Sequence, residues 1–103
     1  MSLKKQFLKS KPICKVTFSL DKSEVEGAKK IQVLGSFNNW NVEEGVAMKK
    51  FKNGNFKVTL DLATDCEYEF KYLVDGTNWL NDSEADKYVN NGITADDNSV
   101  VVV

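Results

Sequence analysis

Apolar and polar side chains alternate along much of this chain. Between Cys14 and Leu20, the residues Cys14, Val16, Phe18 and Leu20 fall on one side and Lys15, Thr17 and Ser19 on the other. That two-residue period is the signature of a half-buried β-strand. A polar turn runs from Asp21 to Gly27, after which Ile31 and Val33, followed by Gly35 and Phe37, resume the alternation. Asn38-Asn39 signals a further turn, and a looser stretch leads to Met48 and Phe51. Asn53-Gly54 is the strongest hairpin signal in the chain. Beyond it, Phe56, Val58, Leu60 and Leu62 alternate with Lys57, Thr59 and Asp61, and then Tyr68, Phe70, Tyr72 and Val74 with Glu67, Glu69, Lys71 and Leu73. Asp75-Gly76 turns the chain once more, and Ser99 to Val103 form a β-branched run suited to a strand paired inside a sheet. No window of useful length has a helical period. Short strands punctuated by Gly, Asn and Asp therefore predict an all-β chain folded as an antiparallel β-sandwich.

The segment 1–12 stands apart from this pattern. Lys4, Lys5, Lys9 and Lys11 surround Leu3, Phe7 and Leu8, and Pro12 closes the segment, which reads as a basic tail preceding a single domain over 13–103. The length of 103 residues supports one core and not two. Lysines number 14 against 15 acidic residues, so the net charge of −1 gives no reason to expect nucleic acid or an anionic membrane as partner. Neutral ligands become more plausible. There is neither arginine nor histidine, which removes the bidentate phosphate clamp, the usual general base near neutral pH and any imidazole metal ligand. No apolar run is long enough to span a membrane and the first residues lack the apolar core of a secretory signal, so a cytoplasmic location is expected. Cys14 and Cys66 are expected to be free thiols.

Catalytic and metal-binding readings find little support. A glycosidase needs two carboxyl groups across a cleft, whereas Glu67 and Glu69 lie on the polar face of a predicted strand and Asp82, Glu84 and Asp86 in a loop. The alternating oxygens of Asp82-Ser83-Glu84-Ala85-Asp86 suggest the start of a calcium loop, but Lys87 stands where the sharp turn needs glycine and Ile93 where a bidentate Glu is required. This run reads instead as a solvated acidic loop, and two cysteines alone do not make a structural zinc site. No catalytic residue, metal or cofactor is expected. The informative residues are Trp40, which follows Asn38-Asn39, and Trp79, which follows Asp75-Gly76-Thr77-Asn78, because each falls in a predicted surface turn. Lys71 lies between Phe70 and Tyr72, whose side chains point to the core, so Lys71 projects to the solvent side. Two flat aromatic faces beside a long-reaching cation form a platform on which the apolar face of a sugar ring stacks while its hydroxyls are hydrogen-bonded at the rim.

These residues also carry a family resemblance. Gly35-Ser36-Phe37-Asn38-Asn39-Trp40, then Tyr68-Glu69-Phe70-Lys71-Tyr72-Leu73-Val74-Asp75-Gly76, then Trp79, and finally Asn98-Ser99-Val100-Val101 together resemble carbohydrate-binding module family 48. That family includes the glycogen-binding domain of the AMP-activated protein kinase β subunit and the early-set domains of branching and debranching enzymes. The resemblance implies an immunoglobulin-like, early-set sandwich that binds α-1,4-linked glucans such as glycogen, starch or maltooligosaccharides without cleaving them. By motif it implies stacking by Trp40 and Trp79, hydrogen bonds from Lys71 and a polar contact from Asn98. Two departures stand out. Two residues separate Gly76 from Trp79 where the kinase domain has one, and the loop 90–97 lacks the usual apolar and threonine contacts, for which Ile93 and Thr94 are the substitutes. No catalytic or kinase-associated region accompanies the domain in this sequence, so a stand-alone module is expected, its partner an α-glucan and in addition a glycogen- or starch-metabolising enzyme. The alternative is a protein-interaction or regulatory domain of the same fold that does not bind sugar; retention on amylose or glycogen separates the two.

Overall fold

In the computed structural model, which describes residues 2–90 and 97–103, the alternating segments become ten strands joined only by antiparallel pairings. In chain order they are β1 (Ser2–Phe7), β2 (Ile13–Leu20), β3 (Ile31–Gly35), β4 (Val46–Ala47), β5 (Lys49–Lys50), β6 (Phe56–Ala63), β7 (Glu67–Val74), β8 (Asn78–Leu80), β9 (Lys87–Asn90) and β10 (Asp97–Val102). One sheet has the order β1-β2-β6-β5. The other runs β4-β3-β7-β10-β9, with β8 also paired to β7. Two antiparallel sheets form a β-sandwich, consistent with the early-set fold that the sequence led us to expect.

The core follows directly from the alternation. Cys14, Val16, Phe18 and Leu20 of β2 are fully buried, while Ile31 and Val33 of β3, Phe70 and Tyr72 of β7 and Val101 of β10 meet them from the other sheet. Phe18 sits edge-on to Phe70, with centroids 5.1 Å apart, and to Tyr72 at 6.4 Å, so three rings bridge the two layers. The chain changes sheet between β4 and β5 at Met48, which is buried and whose N–H donates to the Ile31 carbonyl at 2.8 Å. At the far end the Asp65 N–H donates to the Val103 carbonyl at 2.8 Å, and the Val103 N–H to the Cys66 carbonyl at 3.0 Å, fastening the valine strand to the start of β7. Cys14 is buried and Cys66 exposed, both as free thiols.

The segment read as a basic tail contributes structure. Ser2–Phe7 pairs with Phe7↔Cys14 through Ser2↔Ser19, and Lys5 crosses to the other sheet, where its Nζ lies 2.6 Å from Asp86 Oδ2. An edge strand rich in lysine satisfies its inner backbone groups while its charges discourage pairing with a further chain. Strand pairing overrides the weak pattern of this segment.

Phe18 makes the cross-layer ring contacts, so Phe18→Ala removes volume that neighbours in two sheets cannot both fill. We expect a loss of about 3–5 kcal/mol in urea unfolding. A loss below about 1 kcal/mol would mean that the two layers are not held together at these rings.

Candidate functional site

Strand β7 has a core face and an outer face. Tyr68, Phe70 and Tyr72 point inward, which turns Glu67, Glu69, Lys71 and Leu73 outward. Residues directly opposite in antiparallel strands share a face, so Leu34 of β3 stands beside Lys71, and one rung further Gln32, Leu73 and Trp79 lie in a row across β3, β7 and β8. β3 pairs with β7 along one edge over Ile31–Gly35, so β8 and β10 must share the other, β8 meeting Tyr72–Val74 and β10 meeting Glu67–Phe70. Trp79 is therefore a strand residue and not a turn residue. Its indole is 48% exposed and lies beside Leu73, which is buried even though it faces outward. Leu34 is likewise fully buried on this side. Alternation placed Leu73 with the polar residues; its apolar character was the available sign that this face carries a second, smaller apolar layer. The Gln32 amide donates to the Val42 carbonyl at 3.3 Å and holds the 36–45 segment near these residues.

The second tryptophan is presented by a tight loop. Gly35 ends β3 against β7 so closely that a Cβ would lie 2.2 Å from the Glu69 carbonyl oxygen, a contact only glycine avoids. The Gly35 N–H donates to Asn38 Oδ1 at 2.9 Å, the Asn38 amide donates to the Val33 carbonyl at 3.3 Å, and the Trp40 N–H closes the loop on the Gly35 carbonyl at 3.0 Å. Asn39 and Trp40 both have left-handed backbone, with φ of 56° and 57°. For Asn that conformation is tolerable; for Trp it is strained. The outcome is that Trp40, half-buried, meets Trp79 edge to face with centroids 6.4 Å apart and ring planes inclined by 64°. Lys71 projects from the same outer face, and among the described residues its ammonium group has no hydrogen bond or ion pair.

The three further predicted residues fare differently. Asn98 lies on β10 facing outward with Glu69 and is only 9% exposed, its amide donating to Glu69 Oε1 at 3.1 Å. Ile93 and Thr94 lie outside the described residues. The structure thus brings Trp40, Trp79, Lys71 and Asn98 to one side of the molecule.

Over residues 23–102 the chain matches the family described as the glycogen recognition site of AMP-activated protein kinase. The chain belongs to this family. The assignment agrees with the resemblance to carbohydrate-binding module family 48 and makes the domain one of a carbohydrate-recognition family. No curated protein matches the chain. The matched segment takes in β3 to β10 and with them all four of these residues, whereas β1 and β2 precede it although β2 supplies four of the 17 buried apolar residues among those described.

Within this domain the loop after β8 differs from the solvated acidic stretch expected from sequence. Asp82 is fully buried, its carboxylate accepting the Tyr72 hydroxyl at 2.7 Å and the Glu84 N–H at 2.8 Å. Burial, and then the charge of Asp82, push the Tyr72 phenol far above its ordinary range, so it stays a donor. Asp86 is also engaged, accepting the Val102 N–H at 2.7 Å in addition to Lys5. Asp82 and Asp86 are structural anchors, a role that composition alone does not distinguish from solvation, whereas Glu84 is exposed as expected.

The turn leading to Trp79 has its own anchor. Asp75, at φ 51°, accepts the N–H groups of Lys29 and Lys30 on one carboxylate oxygen, each at 2.8 Å. The Lys30 and Lys29 N–H groups, in that order, hold its carboxyl below the usual value of 3.8. The unfolded chain therefore takes up this proton first as pH falls. The stability from Asp75 is complete at neutral pH, begins to decline as pH approaches the ordinary value, and is gone below the lowered folded value. We expect Asp75→Asn to be less stable than the unaltered chain at neutral pH and to lose less on acidification to about pH 3. Superimposable melting-temperature profiles of the two proteins against pH would remove this anchor from the account.

Proposed function

We propose that the domain binds α-1,4-linked glucan chains, as in glycogen, starch or maltooligosaccharides, without cleaving them. The observation that carries this reading is the pair of indoles, 6.4 Å apart and inclined by 64°, on the same face as a lysine free of ion pairs among the described residues. Successive rings of an α-1,4 chain are inclined to one another, whereas a β-1,4 chain is a flat ribbon that suits coplanar aromatics. An angled pair supports the former. Sugar rings stack on Trp40 and Trp79, Lys71 donates to hydroxyls, and Asn98 supplies a polar edge that already leans on Glu69. The charge balance and the family assignment agree with a neutral saccharide ligand.

Catalysis finds no support in the same face. Glu69, on the outer face of β7, accepts the Asn98 amide, Glu67 is paired with Lys87, and the chain has no histidine. A paired acid and nucleophile across a cleft, the minimum for glycoside hydrolysis, has no counterpart among these groups.

An open platform with few buried contacts binds weakly, so we expect a Kd for maltoheptaose on the order of 10 μM to 1 mM, nearly independent of salt because the ligand is neutral. Trp79→Ala and Trp40→Ala should each weaken binding by at least about tenfold, and Lys71→Ala by about three- to tenfold. Trp79, half exposed, should cost about 1 kcal/mol or less in stability on truncation. Calorimetric titrations and thermal melts on the same samples test all of this. Folded variants that bind as the unaltered chain does, or an unaltered chain with no affinity at millimolar maltoheptaose, would eliminate the site.

A further inference from the structure

Trp79 and Asn98 stand on β8 and β10, two strands that line the same edge of β7. β7 fixes where each strand lies along that edge, but the join between them has to be held by something else. Asn81, the residue after β8, fills that role. Its amide nitrogen donates to the Asp97 carbonyl at 2.7 Å, and its Oδ1 accepts the Ser99 backbone N–H at 3.1 Å and the Ser99 hydroxyl at 2.9 Å. Asp97 and Ser99 are the two neighbours of Asn98. One side chain, two residues from Trp79, therefore grips the backbone on both sides of Asn98.

The next residue continues the grip. The Asp82 N–H donates to the Ser99 hydroxyl oxygen at 2.8 Å, the Tyr88 hydroxyl donates to the Asp82 carbonyl, and the Asp82 carboxylate receives the Tyr72 hydroxyl from β7. Ser99 is fully buried and donates and accepts within this group. Both polar atoms of the Asn81 amide have a partner on the β10 backbone or on Ser99, and Asn81 is thereby tied to the fully buried Ser99 and Asp82, a connected network that restrains the join.

We propose that Asn81 is a positioning residue of the glucan site: it fixes the distance and orientation of Trp79 relative to Asn98 and makes their contributions to binding interdependent. This inference rests on the glucan reading above. The hydrogen bonds of the Asn81 side chain go to β10, whereas Lys71 is paired to Leu34 of β3, so Lys71 provides an internal control.

The test uses maltoheptaose titrations with thermal melts on Asn81→Ala and Asn81→Asp. The aspartate keeps the acceptor for Ser99 and loses the donor to Asp97, so it decides the question if the alanine variant does not fold. We expect each folded variant to bind about three- to tenfold more weakly. Lys71→Ala should cost the same factor with and without the Asn81 change. The Trp79→Ala and Asn98→Ala effects, non-additive in the unaltered chain, should become additive in the Asn81→Asp background. Unchanged affinity in Asn81→Asp, additivity already present in the unaltered chain, or a Lys71 factor that shrinks along with the others would overturn the assignment. Glucan binding by the unaltered chain in those cases leaves the glucan reading standing, whereas its absence would end both.

Discussion

A strand has two edges, and each backbone N–H and C=O along them must find a partner or water. β7 resolves this by accepting β3 along one edge and dividing the other between β10 and β8. That division places Trp79 where it is, since a short strand has room to pair only because β10 stops at Phe70. It also decides the faces: once Phe70 and Tyr72 are committed to the ring cluster with Phe18, Lys71 and Leu73 have no direction left but outward. Core packing and the presentation of the platform are thus consequences of one strand's register, and a slip of a single residue would exchange the two.

The platform has local costs that the rest of the domain absorbs. Trp40 adopts left-handed backbone immediately after another left-handed residue, a conformation that carries on the order of 1–3 kcal/mol of strain. Two hydrogen bonds within Gly35–Trp40, a third from Asn38 to Val33 and the edge-to-face contact with Trp79 hold it there. Asp82 is a similar case, a carboxylate taken fully out of water and stabilised by a phenol that burial keeps protonated. The hydrogen-bonded loop that carries Trp40 and the pairing of β8 with β7 set the two indoles against each other without a ligand, and a preformed contact limits the entropy cost of binding at a shallow site.

Much of this was legible in the sequence because period-two alternation reports faces directly. β2, β3, β6 and β7 follow from it, as do the inward Phe70 and the outward Lys71, while β10 was announced by its β-branched run. What escaped the pattern depended on contacts distant in sequence. Ser2–Phe7 has too few apolar residues to announce a strand and becomes one by pairing with β2. Leu73 looked like an interruption of a polar face, and only the rung from Gln32 to Trp79 explains its burial. Asp82 and Asp86 read as solvated acids because their partners Tyr72, Val102 and Lys5 lie 10, 16 and 81 residues away. Ile93 and Thr94 lie outside the described residues, so their assignment keeps the footing the motif alone gave it.

The arrangement of the indoles has an optical consequence. The chain holds two tryptophans in all, and both are in the edge-to-face pair. Every indole photon that the protein absorbs or emits on the red edge of its spectrum therefore originates in this one place, where the rings stand 6.4 Å apart and inclined by 64°. The intrinsic tryptophan emission of the domain thus reports on its candidate binding surface alone, with no label attached.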